Sequence, residues 1–333
     1  MSLFAKDKEK TRPLSVVIIG AGPSGLATAI EAKNSGCQVT IVEKRESYTR
    51  TQTHFLLDSS LKLLRKWEID TSPIKTVDMG DGTSIGIISL NQLEEQLEQR
   101  VRALGVEKIY GEFQGLKSPQ KALIEICGKG KVALSYDILV AADGAHSKVR
   151  DALGIQVNEL GHGKGAFVIA RYPDDPSLEC DISPPISIED GFLRRIKVPG
   201  VSVTFGQFPH SASKEDLQRT LQAHGWSKEA QDIGENKAPF RENVDVYLQQ
   251  ACTFANQKKS SLIVGDAAAT ASFFQGMGAN TALKAAEAAG LFFKEIRVDK
   301  KAAFQNFNQS MKEMTDKMID DSAFLFAQES LSS

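Results

Sequence analysis

Hydrophobic and polar positions at the start of the chain predict a strand, a helix and a second strand in succession. Residues 14–19 form a short β-branched run that ends at Gly20, which is typical of a buried parallel strand. Residues 24–35 have helical spacing, and a second buried run at 38–42 stops at Glu43. This order and these lengths predict a complete βαβ unit.

The next hundred residues mix helices with short strands. Residues 59–67 have an amphipathic pattern, and residues 90–104 carry an apolar stripe typical of a helix that rests on a sheet. Strand patterns lie at 84–89, 106–110, 122–127, 131–134 and 138–142. Crossover helices therefore alternate with short hairpins over this part of the chain.

The middle of the chain, roughly residues 161–250, has a different pattern. Alternating positions such as those at 201–205 predict an antiparallel layer, and residues 213–224 have helical spacing. The glycine-rich stretch 161–165 is expected to form a turn. From residue 261 the earlier pattern returns, with a buried strand, a glycine loop and a long Ala-rich helix after Gly278.

These elements predict an α/β protein, with a Rossmann-like parallel sheet and an inserted antiparallel-sheet domain. The Rossmann-like domain is expected to be discontinuous and to consist of residues 14–50, 90–160 and 256–300. Residues 51–89 and 161–255 are assigned to the antiparallel-sheet domain, where the substrate is expected to bind. Residues 301–333 are predicted to be a C-terminal helical tail.

Composition and charge narrow the classes of partner. Forty basic and 42 acidic residues leave a formal net charge of -2, without the basic surface that nucleic acid or anionic lipid requires. The four cysteines are far apart, which argues against a zinc site and a disulfide scaffold. The first residues are too polar for a signal peptide and no apolar run approaches a membrane span, so we expect a cytoplasmic protein.

The first glycine motif is Gly20-Ala21-Gly22-Pro23-Ser24-Gly25, and it stands between a predicted strand and a predicted helix. In this context Gly20 permits a tight turn, Gly22 lets the backbone approach a pyrophosphate, and Gly25 allows close helix packing. Glu43, at the end of the second strand, can accept both hydroxyls of an adenosine ribose and would repel a 2′-phosphate. The motif therefore predicts bound FAD or NAD, rather than NADP.

A second glycine-rich loop decides between these two cofactors. Gly265-Asp266 follows the late strand and leads to Gly276-Met277-Gly278-Ala279-Asn280 at the start of a helix. An aspartate in this position can hold a ribityl hydroxyl, and a helix N-terminus favours the negative charge of a reduced flavin. NAD has no ribityl chain, so FAD is the predicted cofactor.

The two glycine loops and the segment 136–150, which contains Asp143-Gly144, occur in an order that resembles the FAD-dependent monooxygenase superfamily of the aromatic hydroxylases. The resemblance extends from about residue 14 to residue 290. It implies that Lys44, Arg45 and Asp143 lie at the cofactor, and that the Asp143 segment also meets the nicotinamide donor. Residues 41–50, 88–93 and 111–116 are, more weakly, similar to the MICAL monooxygenase domain, which oxidises methionines of actin.

Several positions depart from the superfamily's pattern. Ala269 stands where many hydroxylases have histidine, Phe273 stands where they have proline, and Asn91 (or Leu90) replaces an arginine that reaches the FAD phosphates. None of these removes a catalytic acid or base, because the flavin itself carries the reactive oxygen. Phe273, Gln275 and His54 are candidates for residues beside the flavin ring, although an aromatic pair in a loop more often belongs to the core and such a histidine is more often an ordinary, partly exposed one.

The resemblance implies an NAD(P)H-driven monooxygenase, in which a flavin peroxide oxygenates a small-molecule substrate. A protein substrate ranks behind a small molecule. No second nucleotide motif is found, so NADPH or NADH is expected to visit the flavin transiently. Two alternatives remain open: a reductase of the same superfamily, and a binding or regulatory protein that keeps the fold without turnover. The sequence leaves the oligomeric state open.

Overall fold

The computed structural model describes most of the chain. The described residues are 12–49, 53–78, 82–126, 128–168, 170–172, 181–182, 186–188, 191–198, 201–208, 213–235, 240–271 and 277–327. The chain divides into two compact units. The first comprises Met1–Asn158, Gln249–Thr270 and Gly276–Ile319, and the second comprises Glu159–Leu248, Ala271–Gln275 and Asp320–Ser333.

The helices and strands follow one another in the order that the hydrophobic patterns predict. The helices are α1 (Pro23–Asn34), α2 (Asp58–Lys66), α3 (Leu90–Ala103), α4 (Lys148–Ala152), α5 (Lys214–Ala223), α6 (Ser227–Gly234), α7 (Met277–Glu295) and α8 (Lys300–Ala327), with a 3₁₀ turn at Gly265–Ala267. The strands up to residue 141 are β1 (Ser15–Ile19), β2 (Gln38–Glu43), β3 (Thr53–Leu56), β4 (Lys75–Asp78), β5 (Ser84–Ser89), β6 (Glu107–Ser118), β7 (Lys121–Ile126), β8 (Gly130–Ser135) and β9 (Ile138–Ala141). The later strands are β10 (Val157–Val168), β11 (Ala170–Tyr172), β12 (Asp181–Ile182), β13 (Ile186–Ile188), β14 (Gly191–Val198), β15 (Val201–Phe208), β16 (Phe240–Ala251), β17 (Ala255–Asn256), β18 (Ser261–Ile263) and β19 (Ala269–Thr270).

The first unit is built on a sheet of order β17-β18-β9-β1-β2-β6-β7-β8. The five strands from β18 to β6 run parallel, whereas β17 at one end and β7 and β8 at the other are antiparallel to their neighbours. Strands β1 and β9 are almost fully buried, as expected for parallel strands covered on both faces. Strands β3, β5 and β4 form a separate antiparallel sheet.

A second large sheet has the order β12-β14-β15-β10-β16-β19, with β11 beside β15 and β13 beside β14. Its strand pairs whose residue-by-residue pairing is described are antiparallel, and the longest run of paired residues joins β14 to β15. In the second unit, helices α5 and α6 bury Leu217, Leu221 and Trp226, and the guanidinium of Arg195 lies 5.0 Å from the Trp226 ring centre. The predicted fold class is confirmed: a mostly parallel α/β sheet accompanied by antiparallel sheets.

The core of the first unit lies on both sides of β1 and β9. Helix α1 packs against α7 so closely that a Cβ atom at Gly290 would lie 2.3 Å from the carboxylate of Glu31. The buried Glu31 carboxylate accepts a hydrogen bond of 2.7 Å from the indole N–H of Trp67. At the far end of α7, Phe292 meets Phe304 of α8 edge to face, with ring centres 4.9 Å apart. These contacts fix α7 against the helix that follows the first glycine motif.

Three structural features differ from what the sequence suggests. Residues 161–165, expected to be a turn, lie inside the strand β10, which pairs with β15. Glycine in a strand loses only about 1 kcal/mol of stability, so pairing with a neighbouring strand readily outweighs that preference. The described residues between 53 and 89, assigned to the substrate domain, pack within the first unit, because Asn280 of α7 binds the segment between β3 and α2. The predicted C-terminal tail is divided between the two units, because the chain belongs to the first unit up to Ile319 and to the second from Asp320.

Candidate functional site

The segments predicted to bind a cofactor lie at the carboxyl ends of four neighbouring parallel strands. In the sheet order β18-β9-β1-β2, the last residues of these strands are in register: Ile263 pairs with Ala141, Ala141 with Ile19, and Ile19 with Val42. These four strands lead directly to Gly265, Asp143, Gly20 and Glu43. The carboxyl edge of a parallel α/β sheet is where such folds bind their ligands.

The first glycine motif makes a turn that only glycine can form. Gly20 has a φ of +104°, and a Cβ atom there would lie 2.2 Å from the carbonyl oxygen of Ala142. A Cβ atom at Gly25 would lie 2.1 Å from the carbonyl oxygen of Gly20. Gly22 is the N-cap of α1 and Pro23 is its first residue. The N–H groups of the first helical turn have no partner within the helix, so this end of α1 can bind a phosphate group.

Glu43 is buried and bound to the glycine turn. Its Oε2 atom accepts a hydrogen bond of 2.7 Å from the N–H of Ala21, and its Oε1 atom accepts bonds from the N–H and Nε of Arg45. Burial raises the pKa of Glu43, but these hydrogen bonds outweigh burial and hold the pKa below its usual value. The carboxylate is therefore ionised. A carboxylate offers about four acceptor positions and three are used within the chain, which leaves one for a ribose hydroxyl.

Asp143 is held at the end of β9 by the helix that follows it. Its carboxylate accepts hydrogen bonds from the hydroxyl of Ser147, at 2.5 Å, and from the N–H of Val149. Burial raises the pKa of Asp143 despite these hydrogen bonds. Ser147 also caps α4, because its hydroxyl oxygen accepts a bond of 2.9 Å from the N–H of Arg150. The Asp143 side chain therefore stabilises the turn between β9 and α4.

The late glycine loop touches the early one. Gly265 has a φ of +61°, and a Cβ atom there would lie 2.3 Å from the hydroxyl oxygen of Ser24 in the first turn of α1. Asp266, the next residue, is exposed to solvent at the same edge of the sheet. The two motifs, separated by about 240 residues in the chain, thus form one surface.

Arg150 links the Asp143 segment to the late loop. Its guanidinium is buried, and one Nη atom donates a hydrogen bond of 3.2 Å to the carbonyl oxygen of Ala267 in the 3₁₀ turn. Sequence reasoning did not single out this residue. Arg150 lies in the segment that resembles the superfamily, and this position was the only signal in the sequence that it could matter. Its partner Ala267 is 117 residues away, so the hydrogen bond is visible only in the folded chain.

The first residues of α7 include both exposed and buried positions. Met277 begins the helix, and Gly278 is exposed, with no atom of the described residues within 4 Å of the position a Cβ would take. Ala279 and Asn280 are buried. The Oδ1 atom of Asn280 accepts bonds from the N–H of Leu57 and the hydroxyl of Ser60, and its amide donates to the carbonyl of Phe55. Asn280 therefore holds the segment between β3 and α2, and it offers a cofactor mainly its backbone.

The remaining predicted residues lie in β3, α3 and β19 and just after β2. His54 is in β3, next to Phe55, so the Asn280 bonds hold it near the start of α7. Asn91 is the second residue of α3, and its buried Oδ1 atom has no hydrogen-bond partner among the described residues. Lys44 is exposed. Ala269, in β19, is buried and pairs with Gln250. The candidates Phe273, Gln275 and Gly276 lie outside the described residues.

These residues fit a flavin dinucleotide. The ionised Glu43 retains acceptor capacity, the first turn of α1 faces the same edge, and Gly278 leaves space where a side chain would stand.

Comparisons with known proteins agree with this assignment. Residues 14–169 match the family model described as pyridine nucleotide-disulphide oxidoreductase. Violacein synthase of Chromobacterium violaceum is 24% identical over 91% of this chain and 83% of its own length. The solved structure of 2-methyl-3-hydroxypyridine-5-carboxylic acid oxygenase is 18% identical, covers 96% of this chain and 93% of its own, and superposes with a TM-score of 0.75. The chain therefore has the fold of this oxygenase and of the aromatic hydroxylase CabE, which is 17% identical.

The predicted resemblance to aromatic hydroxylases is thus matched by a shared fold. The weaker similarity to MICAL proteins is also confirmed: the F-actin monooxygenase mical1 of Danio rerio is 33% identical over 159 residues. That match covers 46% of this chain and only 12% of mical1, so the chain spans a small part of that relative.

The described residues contain neither a membrane-spanning helix nor a metal-binding cluster. No helix among them is both long enough and apolar enough to cross a membrane. No group of three or more His, Cys, Asp or Glu side chains is placed to hold a metal ion in the same part of the chain.

Proposed function

We propose that this protein is an FAD-dependent monooxygenase that takes electrons from NADPH or NADH and oxygenates a small aromatic molecule. The observation that carries the proposal is the order of the segments along the carboxyl edge of the main sheet. Glu43, the Gly20 turn, Asp143 and Asp266 follow strands β2, β1, β9 and β18, which are neighbours in that order.

This order corresponds to the order of chemical groups in FAD. The ribose would lie at Glu43, the diphosphate at the first turn of α1, and the ribityl chain near Asp266. Strands in a sheet lie about 4.8 Å apart, so the edge from β2 to β18 is about 14 Å long, which suits an extended dinucleotide. A nicotinamide dinucleotide would leave the Asp266 loop and the start of α7 without a ligand.

The chain's own residues would bind and orient the cofactor. Glu43 accepts a ribose hydroxyl through its remaining acceptor position, and the unpaired N–H groups of α1 bind the diphosphate. The N-terminus of α7 favours negative charge near Gly278 because of the helix dipole. Bound FAD would supply hydride acceptance and oxygen activation. None of the described side chains is needed as an acid or base for those two steps.

A small molecule is favoured over a protein as the substrate because of how far each similarity extends. The likeness to violacein synthase and to the pyridine carboxylic acid oxygenase covers nearly the whole chain, including the antiparallel sheets. The likeness to the F-actin monooxygenases is shorter: it covers 46% of the chain for mical1 of Danio rerio and 56% for MICAL1 of Bos taurus. The second large sheet belongs to the longer matches, and we assign substrate binding to that part of the chain.

The experiment that tests the proposal follows the flavin directly. The protein is purified, reconstituted with FAD, and titrated with NADPH or NADH in the absence of oxygen while the visible spectrum is recorded. Oxygen is then admitted with a panel of aromatic acids, phenols and nitrogen heterocycles, and oxygen uptake and product mass are measured. F-actin is a parallel substrate, assayed for methionine sulfoxide.

The possible outcomes distinguish the proposal from its alternatives. A product that is heavier by one oxygen atom, formed only with FAD and donor, supports the proposal. Flavin that is reduced but inserts no oxygen into any member of the panel favours a reductase. FAD that no donor reduces, or an absence of FAD binding, contradicts the proposed activity. Oxidised actin with an inert small-molecule panel would reverse the substrate assignment.

A further inference from the structure

Tyr110 is an exposed aromatic residue beside the adenosine end of the proposed site, and none of the sequence motifs includes it. It lies in β6, where it is opposite Glu43 in the parallel register with β2. Its side chain is 41% exposed, although β6 is flanked by β2 on one side and β7 on the other. Tyr110 is the last residue of β6 that pairs with β2, and the pairing with β7 begins only at Gly111, so the ring is exposed where these two pairings meet.

A largely buried cation holds one face of this ring. The Nζ atom of Lys108 lies 5.1 Å from the centre of the Tyr110 ring and 5.1 Å from that of Tyr48. Lys108 is itself fixed, because it forms a 3.0 Å ion pair with the buried carboxylate of Glu98 and donates a 3.3 Å hydrogen bond to the hydroxyl of Tyr48. The ammonium group contacts the ring's π-system, which limits the freedom of the ring. Tyr110 therefore presents a surface that needs little further ordering when a ligand binds.

The sheet order identifies what that surface would meet. Strands β1, β2 and β6 are consecutive in the sheet. The glycine turn follows β1, Glu43 ends β2, and Tyr110 lies opposite Glu43 in β6. In an adenine dinucleotide the diphosphate, the ribose and the base follow one another in the same order. With strands about 4.8 Å apart, a base attached to a ribose at Glu43 falls beside β6. Nucleobases stack on aromatic side chains in many binding sites.

We propose that the Tyr110 ring stacks on the adenine base of the cofactor and makes this site prefer adenine nucleotides to FMN. The inference rests on the proposed FAD site and adds a residue to it. Glu98 and Lys108 act as positioning residues, because they hold the ring and do not contact the ligand. FMN has no adenosine half, so it gains nothing from Tyr110.

The test compares ligands that do and do not contain adenine. The purified full chain, freed of flavin, is titrated with ADP, FAD and FMN by calorimetry. The variants are Tyr110→Phe, which keeps the aromatic face, and Tyr110→Leu, which keeps apolar bulk without it. Val132→Ala is the matched control, because Val132 is 37% exposed and lies in β8 of the same sheet. Melting temperatures of all variants check the fold.

We expect Tyr110→Leu to bind ADP and FAD about 5- to 30-fold more weakly, the low end of what one stacked base contributes. Tyr110→Phe and Val132→Ala should stay within about twofold of the natural chain by the same comparison. FMN affinity should be unchanged in every variant. Equal ADP affinity in the Phe and Leu variants overturns the inference, as does an equal loss for FMN. If the unsubstituted protein binds neither ADP nor FAD, the proposed function itself is refuted before any variant is made.

Discussion

The ionisation of Glu43 links the candidate site to the stability of the fold. The carboxylate is 4% exposed, yet its pKa lies below the usual value of 4.5, because three donors from Ala21 and Arg45 more than offset its burial. A group whose pKa is lowered on folding stabilises the protein above its unfolded pKa. That contribution disappears as the pH falls through the lower, folded pKa.

Replacing Glu43 by Gln should therefore destabilise the protein in a pH-dependent way. At pH 7 we expect a loss of about 1–3 kcal/mol in the free energy of unfolding, the usual range for a buried charged hydrogen-bonding group. Below about pH 4 the difference between Glu43→Gln and the natural chain should shrink, since the natural carboxylate then becomes protonated. Urea unfolding between pH 7 and pH 3 measures this, with the exposed Glu313→Gln as control. A difference that does not change with pH would contradict the lowered pKa.

Two glycines allow the requirements of the fold to be separated from those of the cofactor. Gly20→Ala brings a methyl group within 2.2 Å of the Ala142 carbonyl at a φ of +104°, so it should lower stability by more than about 3 kcal/mol. The methyl group of Gly278→Ala meets no atom within 4 Å in the described part of the chain, so the melting temperature without flavin should be unchanged. FAD titration should nevertheless show weaker binding for Gly278→Ala. Unaltered FAD affinity in this variant would place the cofactor away from the start of α7.

At the scale of the elements, the site depends on contact between α1 and the loop after β18. Gly265→Ala would place a methyl group 2.3 Å from the hydroxyl oxygen of Ser24, and we expect it to cost about 2–4 kcal/mol. Ser24→Gly in that background should recover part of the loss, because it removes the atoms that clash while the strain at a φ of +61° remains. A double-mutant cycle measured by thermal unfolding gives the coupling. Strictly additive effects would show that the two motifs do not touch.

The hydrogen bonds of Asn280 join α7 to the segment that carries His54. Asn280→Ala removes three of them and leaves the N–H of Leu57 and the carbonyl of Phe55 without this partner. We expect a loss of about 1–3 kcal/mol in unfolding free energy. Asn306→Ala is the control, because Asn306 is exposed and bonded to Glu295, and it should change stability by less than about 0.5 kcal/mol. Similar losses in both variants would show that Asn280 does not hold this segment.

At the scale of the whole molecule, cofactor binding should raise stability through mass action. A ligand present at 100 times its dissociation constant stabilises the folded state by about 2.7 kcal/mol. FAD should therefore raise the melting temperature in proportion to the logarithm of its concentration, and riboflavin should raise it less because it lacks the diphosphate and adenosine. Differential scanning fluorimetry over a series of concentrations measures both. Equal shifts with FAD and riboflavin would mean that the early glycine turn does not take part.

Local sequence patterns determined most of the secondary structure and the general place of the site. The βαβ unit from Ser15 to Glu43, the helix α3 and the late strand β18 all lie within a few residues of their predicted bounds. Their hydrophobic periods depend on near neighbours in the chain, so they can be read without knowledge of the fold. The motif Gly20–Gly25 could be recognised from its spacing between a strand and a helix, although the Ala142 carbonyl that requires glycine at position 20 is distant in the chain.

Only the tertiary structure decided which side chains serve the site and which serve the fold. Asn280 proved to be bonded to residues more than 200 positions away, Arg150 to Ala267, and Gly265 lies against Ser24. The stretch 161–165 became a strand because β15 pairs with β10, and Tyr110 stands beside Glu43 because β6 lies next to β2. Each of these outcomes depends on a partner distant in sequence. Such partners leave no periodic pattern in the chain, since their spacing is set by the order of strands in the sheet and not by the period of a helix or a strand.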